Sequence, residues 1–426
     1  MYVSVMYRIL NFTSDLRGCG GGARITMAQC EHTAVTTFRE YIRIKTVQPD
    51  PDYETCSKFL KRQGEELGAK VHVMECVPGK PIIIMTVEGR DPTLPSILLN
   101  SHTDVVPVFP KHWKYDPFSG HKDEDGEIYG RGTQDMKSVG IQYLEALKQL
   151  RCEGNTFLRT IHVSFVPDEE IGGADGMMSF VETDYFREMN VGFALDEGYA
   201  STSEDFLVFY GERHIYHLNV RCSGQPGHGS QFLSNTAGEK LHKVINSFFS
   251  FRDQEERRLR ENPDLQLGDV TTVNLTMLEG GVQFNVVPAQ LSVGFDIRIP
   301  PALDPADFEN MVQGWCREAG EDVVYEICLK SVNRELSSVV DGQSPWWDAF
   351  SQACKIEKIT VQKQIFPAGT DSSLIRKHGI PCLGFSPMNN TERLLHDHNE
   401  RLNEKVFLRG IQIYASIISA LANCTP

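Results

Sequence analysis

Ile97–Pro107 reads ILLNSHTDVVP: an apolar run that breaks into His102-Thr103-Asp104. A short apolar run ending in polar residues fits a buried strand and the loop at its carboxyl end. In open α/β sheets, ligands bind beyond the carboxyl ends of the strands. His102 and Asp104 are separated by one residue, so an extended chain points both side chains the same way. Alone, such a His-x-Asp is more commonly a polar surface loop.

The theme recurs along the chain. The strand-like Ile161–Val166 runs into Pro167-Asp168-Glu169-Glu170. Three consecutive acids at a strand end are costly unless solvated, protonated or facing cations. Leu195-Asp196-Glu197-Gly198 again puts acids at the end of an apolar run. Gly130-Arg131-Gly132-Thr133-Gln134-Asp135 is a glycine-rich turn before a helical pattern. A carboxylate there can bridge two metals with its two oxygens, or simply cap the helix. Leu394-Leu395-His396-Asp397-His398 supplies imidazole late in the chain. Carboxylates mixed with imidazole, without thiolates, suit zinc, cobalt or manganese in an open catalytic site. Two metals about 3.5–4 Å apart are a known arrangement in aminopeptidases.

Outward from these motifs, strands alternate with helices. Helical patterns cover 34–44, 54–67 and 138–150, and strand-like runs cover 71–74, 82–87, 97–100, 160–166 and 191–195. A further helix is expected at 176–182. This alternation predicts an α/β domain with a mostly parallel sheet covered on both faces. Near Phe206 the pattern changes. Strand 215–222, helix 236–261, strands 270–278 and 291–299, helix 306–319 and strand 322–329 follow the β-α-β-β-α-β order of a ferredoxin-like unit. The first pattern then resumes through 403–422. The expected organisation is an N-terminal extension at 1–26, expected to be disordered, then catalytic segments at 27–211 and 333–426, with an inserted domain at 212–332.

The bulk numbers narrow the partners. The chain has 426 residues, 41% hydrophobic and 23% charged, with a formal net charge of −15. Such acidity repels nucleic acid and anionic lipid, so neither is expected as a partner. No apolar run reads as a membrane span, and residues 1–26 lack the pattern of a secretory signal. The 11 cysteines are scattered without a Cys-x-x-Cys pair, which suits a reducing compartment; a cytoplasmic enzyme is expected.

The segments NSHTDVVPVF, YGRGTQDMKSVGIQYLEAL, FVPDEEIGG, FALDEG, GQPGHGS, VNLTMLEGG and LGFSPMNNTERLLHDHNERL together resemble the aminoacylase branch of the M20 zinc amidohydrolase and peptidase family. The resemblance implies a di-zinc exopeptidase-like catalytic domain with an inserted ferredoxin-like lid that also carries a homodimer contact. It implies two zinc ions per subunit, with Asp135 bridging, His102 and Glu197 on one and Glu170 and His396 on the other. Asp104 would orient His102, and Glu169 would be the general base. His228, in Gly227-His228-Gly229, would reach the neighbouring subunit's site to stabilise the oxyanion. Arg298, assisted by Asn285, would bind the substrate carboxylate. One departure stands out: Ser373 occupies a position where the family commonly carries arginine. The implied activity is hydrolysis of N-acyl-L-amino acids. A dipeptidase or carboxypeptidase of the same family is the alternative enzyme, and a catalytically silent scaffold the alternative of another class.

Overall fold

The computed structural model describes residues 31–331, 338 and 340–425. The expected extension at 1–26 and the expected second boundary at 332/333 lie outside those residues. Thr33–Arg43 (α1) and Tyr53–Leu67 (α2) precede the hairpin of Lys70–Val77 (β1) and Lys80–Val87 (β2). Ser96–His102 (β3), Lys137–Cys152 (α3), Ile161–Val166 (β4), Val191–Asp196 (β5) and Phe206–Glu212 (β6) follow. After an intervening region, Pro345–Ile356 (α6), Val361–Phe366 (β11), Asp371–Lys377 (α7), Cys382–Phe385 (β12) and Glu404–Ala422 (α8) complete the main layer.

These strands form one eight-stranded sheet in the order β1-β2-β4-β3-β5-β12-β6-β11. Side chains on β2 through β5 alternate between two apolar clusters. Ile83, Met85, Leu99 and Phe165 pack with α1, α2, α3, α6 and α8. Ile82, Ile84, Leu98 and Val166 pack on the opposite face with α7 and the short helix Met177–Phe180. Burial on both faces is why the strands read as continuous apolar runs rather than alternating ones.

The sheet is mixed. The centre, β4-β3-β5-β12, is parallel as expected, and so is β6 with β11. The β1/β2, β2/β4 and β12/β6 pairs are antiparallel. For β1/β2 the cause is local: Pro78-Gly79 links the strands, Gly79 has φ +79°, and so short a link can only reverse the chain. The helix expected at 176–182 shrinks to Met177–Phe180. Residues 206–212, read as a change of pattern, are a strand of the main sheet.

The intervening region builds a second sheet. His214–Ser223 (β7), Ala237–Glu261 (α4), Thr272–Gly280 (β8), Gln290–Ile299 (β9), Pro305–Ala319 (α5) and Val323–Ser331 (β10) have the ferredoxin-like order β8-β9-β7-β10, antiparallel throughout. It has its own core, in which Phe248 of α4 stacks on Phe295 of β9 with ring centroids 4.1 Å apart. The Thr236 side chain caps α4 and Glu239 reciprocates, which fixes where the helix begins.

Among the described residues, α8 is the one helix long and apolar enough to cross a membrane by length and composition, contrary to the expectation of none. Ten of its residues are buried, Phe407 and Tyr414 among them, in the main core.

His162 on β4 is buried, with its ring 2.9 Å from the Thr86 hydroxyl, and burial pushes its pKa down to about 4. The unfolded chain therefore binds a proton between about pH 6.5 and pH 4 that the folded chain refuses. That contribution to stability is complete above the unfolded value and falls as pH drops through the window. Urea unfolding at pH 7 and pH 5 is expected to show His162→Gln losing about 2 kcal/mol less than the parent over that interval. Equal losses would refute the assignment.

Candidate metal centre

The carboxyl ends of β3, β4 and β5 lie side by side, which brings their polar extensions together. His102 ends β3 and is buried. Its Nδ1 lies 2.9 Å from the backbone carbonyl of Asp104. A carbonyl only accepts, so Nδ1 carries the proton and Nε2 faces inward. There Nε2 meets Asp135 Oδ1 at 2.9 Å and Glu197 Oε2 at 3.6 Å. His396, half exposed, places its Nε2 3.1 Å from the other Asp135 oxygen, Oδ2, and 3.0 Å from Glu170 Oε2. Asp135 thus turns one oxygen toward each imidazole, and each imidazole has one further glutamate.

Glu169 lies on the His102 side. Donor atoms of His102, Glu169 and Glu197 fall within 4.8 Å of one another, as do those of His102, Asp135 and Glu170. Burial, reinforced by the charge of Glu197, holds Glu169 well above the ordinary carboxylate range. Burial and the charge of Asp135 raise Glu197 likewise and push Glu170 up to about 7. Burial opposes a charge on His102, but the charge of Glu197 and hydrogen bonds to the surrounding carboxylates outweigh it and hold the imidazole pKa well above its usual value. Hydrogen bonds donated to Asp135 and Glu170 raise His396 to about 10.

The residues fit a pair of divalent cations. Four carboxylates converge with two imidazoles, and Glu170 Oε1 is buried without a hydrogen-bond partner among the described residues. Buried acids in this number need positive charge between them. The donor set, oxygens and imidazole nitrogens, suits zinc, manganese or cobalt.

The surrounding structure holds these groups in place. Asp104 carries out two tasks with separate atoms. Its carbonyl binds the His102 ring, while its carboxylate accepts from the Glu169 amide at 3.1 Å, the Glu170 amide at 3.2 Å and the Gln48 side chain at 2.9 Å. The carboxylate lies 3.6 Å from the His102 ring, so it sets the 169–170 turn more directly than the histidine. Asp168, the first of the three consecutive acids, is paired away from the centre with Lys80, Tyr53 and Gln48.

Residues that the motifs did not reveal complete the frame. Glu400 is fully buried and accepts from Arg131 Nη1 at 2.7 Å and from the amides of Gly132, Gln134 and Asp135 at 3.2, 2.7 and 3.3 Å. It reaches that turn because Arg401–Asn403 pairs with Glu127–Tyr129. Gln134 in turn accepts from the Leu394 amide at 2.9 Å, tying the His396 loop to the Asp135 turn. Asn100 donates to both Asp371 and Asp196, the residue before Glu197.

Three expected residues lie elsewhere. His228 is exposed on a two-residue strand, with Ser230 bonded to its Nδ1. The Gly229 amide donates to the Asn285 carbonyl, so Asn285 sits beside it. Arg298 on β9 donates to both oxygens of Asp296, at 2.8 and 3.0 Å. Among the described residues, no hydrogen bond joins these three to the cluster. Ser373 donates to the Thr370 carbonyl at the start of α7.

The family model for Peptidase family M20/M25/M40 matches residues 98–420. The chain belongs to this family. It is a metal-dependent amidohydrolase. Aminoacylase-1 of Mus musculus is 54% identical over 395 residues, covering 93% of this chain and 97% of that protein. Among solved structures, the M20 metallo-carboxypeptidase Sso-CP2 of Sulfolobus solfataricus superposes with a TM-score of 0.68 at 18% identity, covering 92% of this chain and all of that one. The Bacillus subtilis protein YXEP, described as a dinuclear metal-binding peptidase of the M20 family, gives 0.63 at 15% identity, covering 92% and 98%. At these identities the two structures speak to the M20 fold alone.

Glu400→Gln leaves Arg131 buried without its counter-charge, so a loss of about 3–5 kcal/mol is expected. Urea denaturation measures this, and dialysis against a chelator is expected to strip metal from the variant faster than from the parent. Stability within 1 kcal/mol of the parent, roughly the worth of a surface pair, would show that Glu400 is not the anchor.

Proposed function

We propose that the protein hydrolyses N-acyl-L-amino acids to a carboxylate and a free L-amino acid, using two zinc ions. The observation that carries this is Asp135, whose two oxygens face different imidazoles, each backed by its own glutamate. In this reading His102 and Glu197 would hold one ion, Glu170 and His396 the other, and Asp135 would serve both. The sequence likeness to aminoacylase-1 supports the choice of an N-acyl amino acid over a dipeptide.

Two divalent cations held there would supply polarisation of the acyl carbonyl and a pKa of attacking water lowered toward about 7. Glu169 takes the proton from that water and passes it to the leaving amine nitrogen. Burial, with the charge of Glu197 beside it, favours a proton on Glu169, the direction a group that accepts and returns one requires. The Asp104 carboxylate fixes the Glu169 and Glu170 amides, so the base and its ligand neighbour keep separate directions.

The second sheet is read as a lid and dimerisation domain spanning residues 212–332, between catalytic segments 27–211 and 333–426. Phe232, Met277, Leu278, Val282 and Phe284 are exposed on it, around the short ladder that carries His228. Covering them in a homodimer would remove apolar surface from water and carry His228 toward a partner's centre. Arg298 and Asn285 are assigned to the substrate carboxylate, which requires Arg298 to exchange Asp296 for it. Nine described cysteines are free, in keeping with a cytoplasmic location.

Glu169→Gln is expected to retain both ions by elemental analysis while turnover of N-acetyl-methionine falls about 100- to 10,000-fold. Undiminished turnover would remove Glu169 from its role. In the parent protein, N-acetyl-methionine should be cleaved faster than methionine-containing dipeptides; the reverse order would point to a peptidase.

A further inference from the structure

A cavity of about 220 Å³ has Tyr199, Ser201, Gln266, Gln364 and Arg393 in its lining. Arg393 is the only charged side chain among its lining residues, in a chain whose net charge is −15. Its guanidinium lies 4.7 Å from the centre of the Tyr199 ring, and its Nε makes one long hydrogen bond, 3.4 Å, to the Ala200 carbonyl. Among the described residues it has no carboxylate partner. The adjacent Glu392 is taken by Arg401 at 2.7 Å.

The other arginines nearby are committed. Arg298 is held by both oxygens of Asp296. Arg213 is buried and donates to the Pro367 and Val270 carbonyls and the Thr272 hydroxyl. An exposed guanidinium stacked on an aromatic ring keeps its fork of N–H donors aimed and available, the arrangement that recognises a planar anion. Two of its lining residues, Tyr199 and Arg393, are linked to the centre through the chain. Tyr199 and Ala200 directly follow the Glu197-Gly198 turn, and Leu394 is tied to Gln134 beside Asp135.

We propose that this cavity is a subsite for a second carboxylate on the substrate, with Arg393 as the residue that reads it. The preferred substrates are then N-acyl amino acids carrying an extra acid, on the amino-acid side chain or on the acyl group. This rests on the hydrolytic reading above for its substrate class, but not for its test.

The test uses the metal-loaded Glu169→Gln protein, with calorimetric titration of N-acetyl-glutamate, N-succinyl-methionine and N-acetyl-methionine. One of the two dicarboxylates is expected to bind about 10- to 100-fold more tightly than N-acetyl-methionine, the worth of a charge-assisted hydrogen bond pair. Which one it is tells which end of the substrate enters the cavity. Adding Arg393→Gln should collapse that preference, and Arg393→Lys should restore part of it. No preference for either dicarboxylate, or a preference that survives Arg393→Gln, overturns the proposal. Failure of the parent protein to cleave N-acetyl-methionine would instead sink the hydrolytic reading and leave the binding ratio to stand or fall by itself.

Discussion

Carboxylates crowd together in a protein interior only when positive charge is placed among them. Asp135, Glu169, Glu170 and Glu197 converge behind two imidazoles, and that one demand organises the molecule around it. Parallel central strands deliver His102, Glu169, Glu170 and Glu197 from a common edge. Apolar residues on both faces of those strands hold the edge rigid. A loosely packed sheet could not keep mutually repelling groups within hydrogen-bonding distance of one another.

The frame around the acids is itself largely polar, and most of it uses backbone amides. Glu400 binds the amides of the turn that carries Asp135, and Asp104 binds the amides of Glu169 and Glu170. A carboxylate that grips main-chain N–H groups sets the path of the chain, not merely one rotamer. Two acids that touch no substrate in this reading therefore direct the residues that do. Arg131 neutralises Glu400 inside the protein, so the anchor adds no uncompensated charge of its own.

The centre was legible in the amino-acid order because each member sits where an apolar run stops. His102, Glu169, Glu170 and Glu197 follow strands, and Asp135 precedes a helix; such boundaries are visible in one dimension. The ferredoxin-like alternation of the second sheet was legible for the same reason. Strand direction at the edges was not, since pairing partners are chosen in three dimensions. Glu400, Gln48 and Asn100 also gave no sign. Their partners lie far along the chain, 266 residues away for Glu400 and Gln134 and 271 for Asn100 and Asp371, with no local pattern to mark them. Asp104 shows the intermediate case. It was visible as a site residue, but the division of labour between its carbonyl and its carboxylate required coordinates.

The anchor at Glu400 also carries a consequence for how the protein is made. A ribosome delivers the chain from the amino end, so β3, β4 and β5 emerge with His102, Glu169, Glu170 and Glu197 long before residues 396–400 exist. Until the last segment arrives, the turn before α3 lacks the carboxylate that shapes it and the centre lacks one of its two imidazoles. Completion of the centre thus waits for the same late segment that closes the main core through α8.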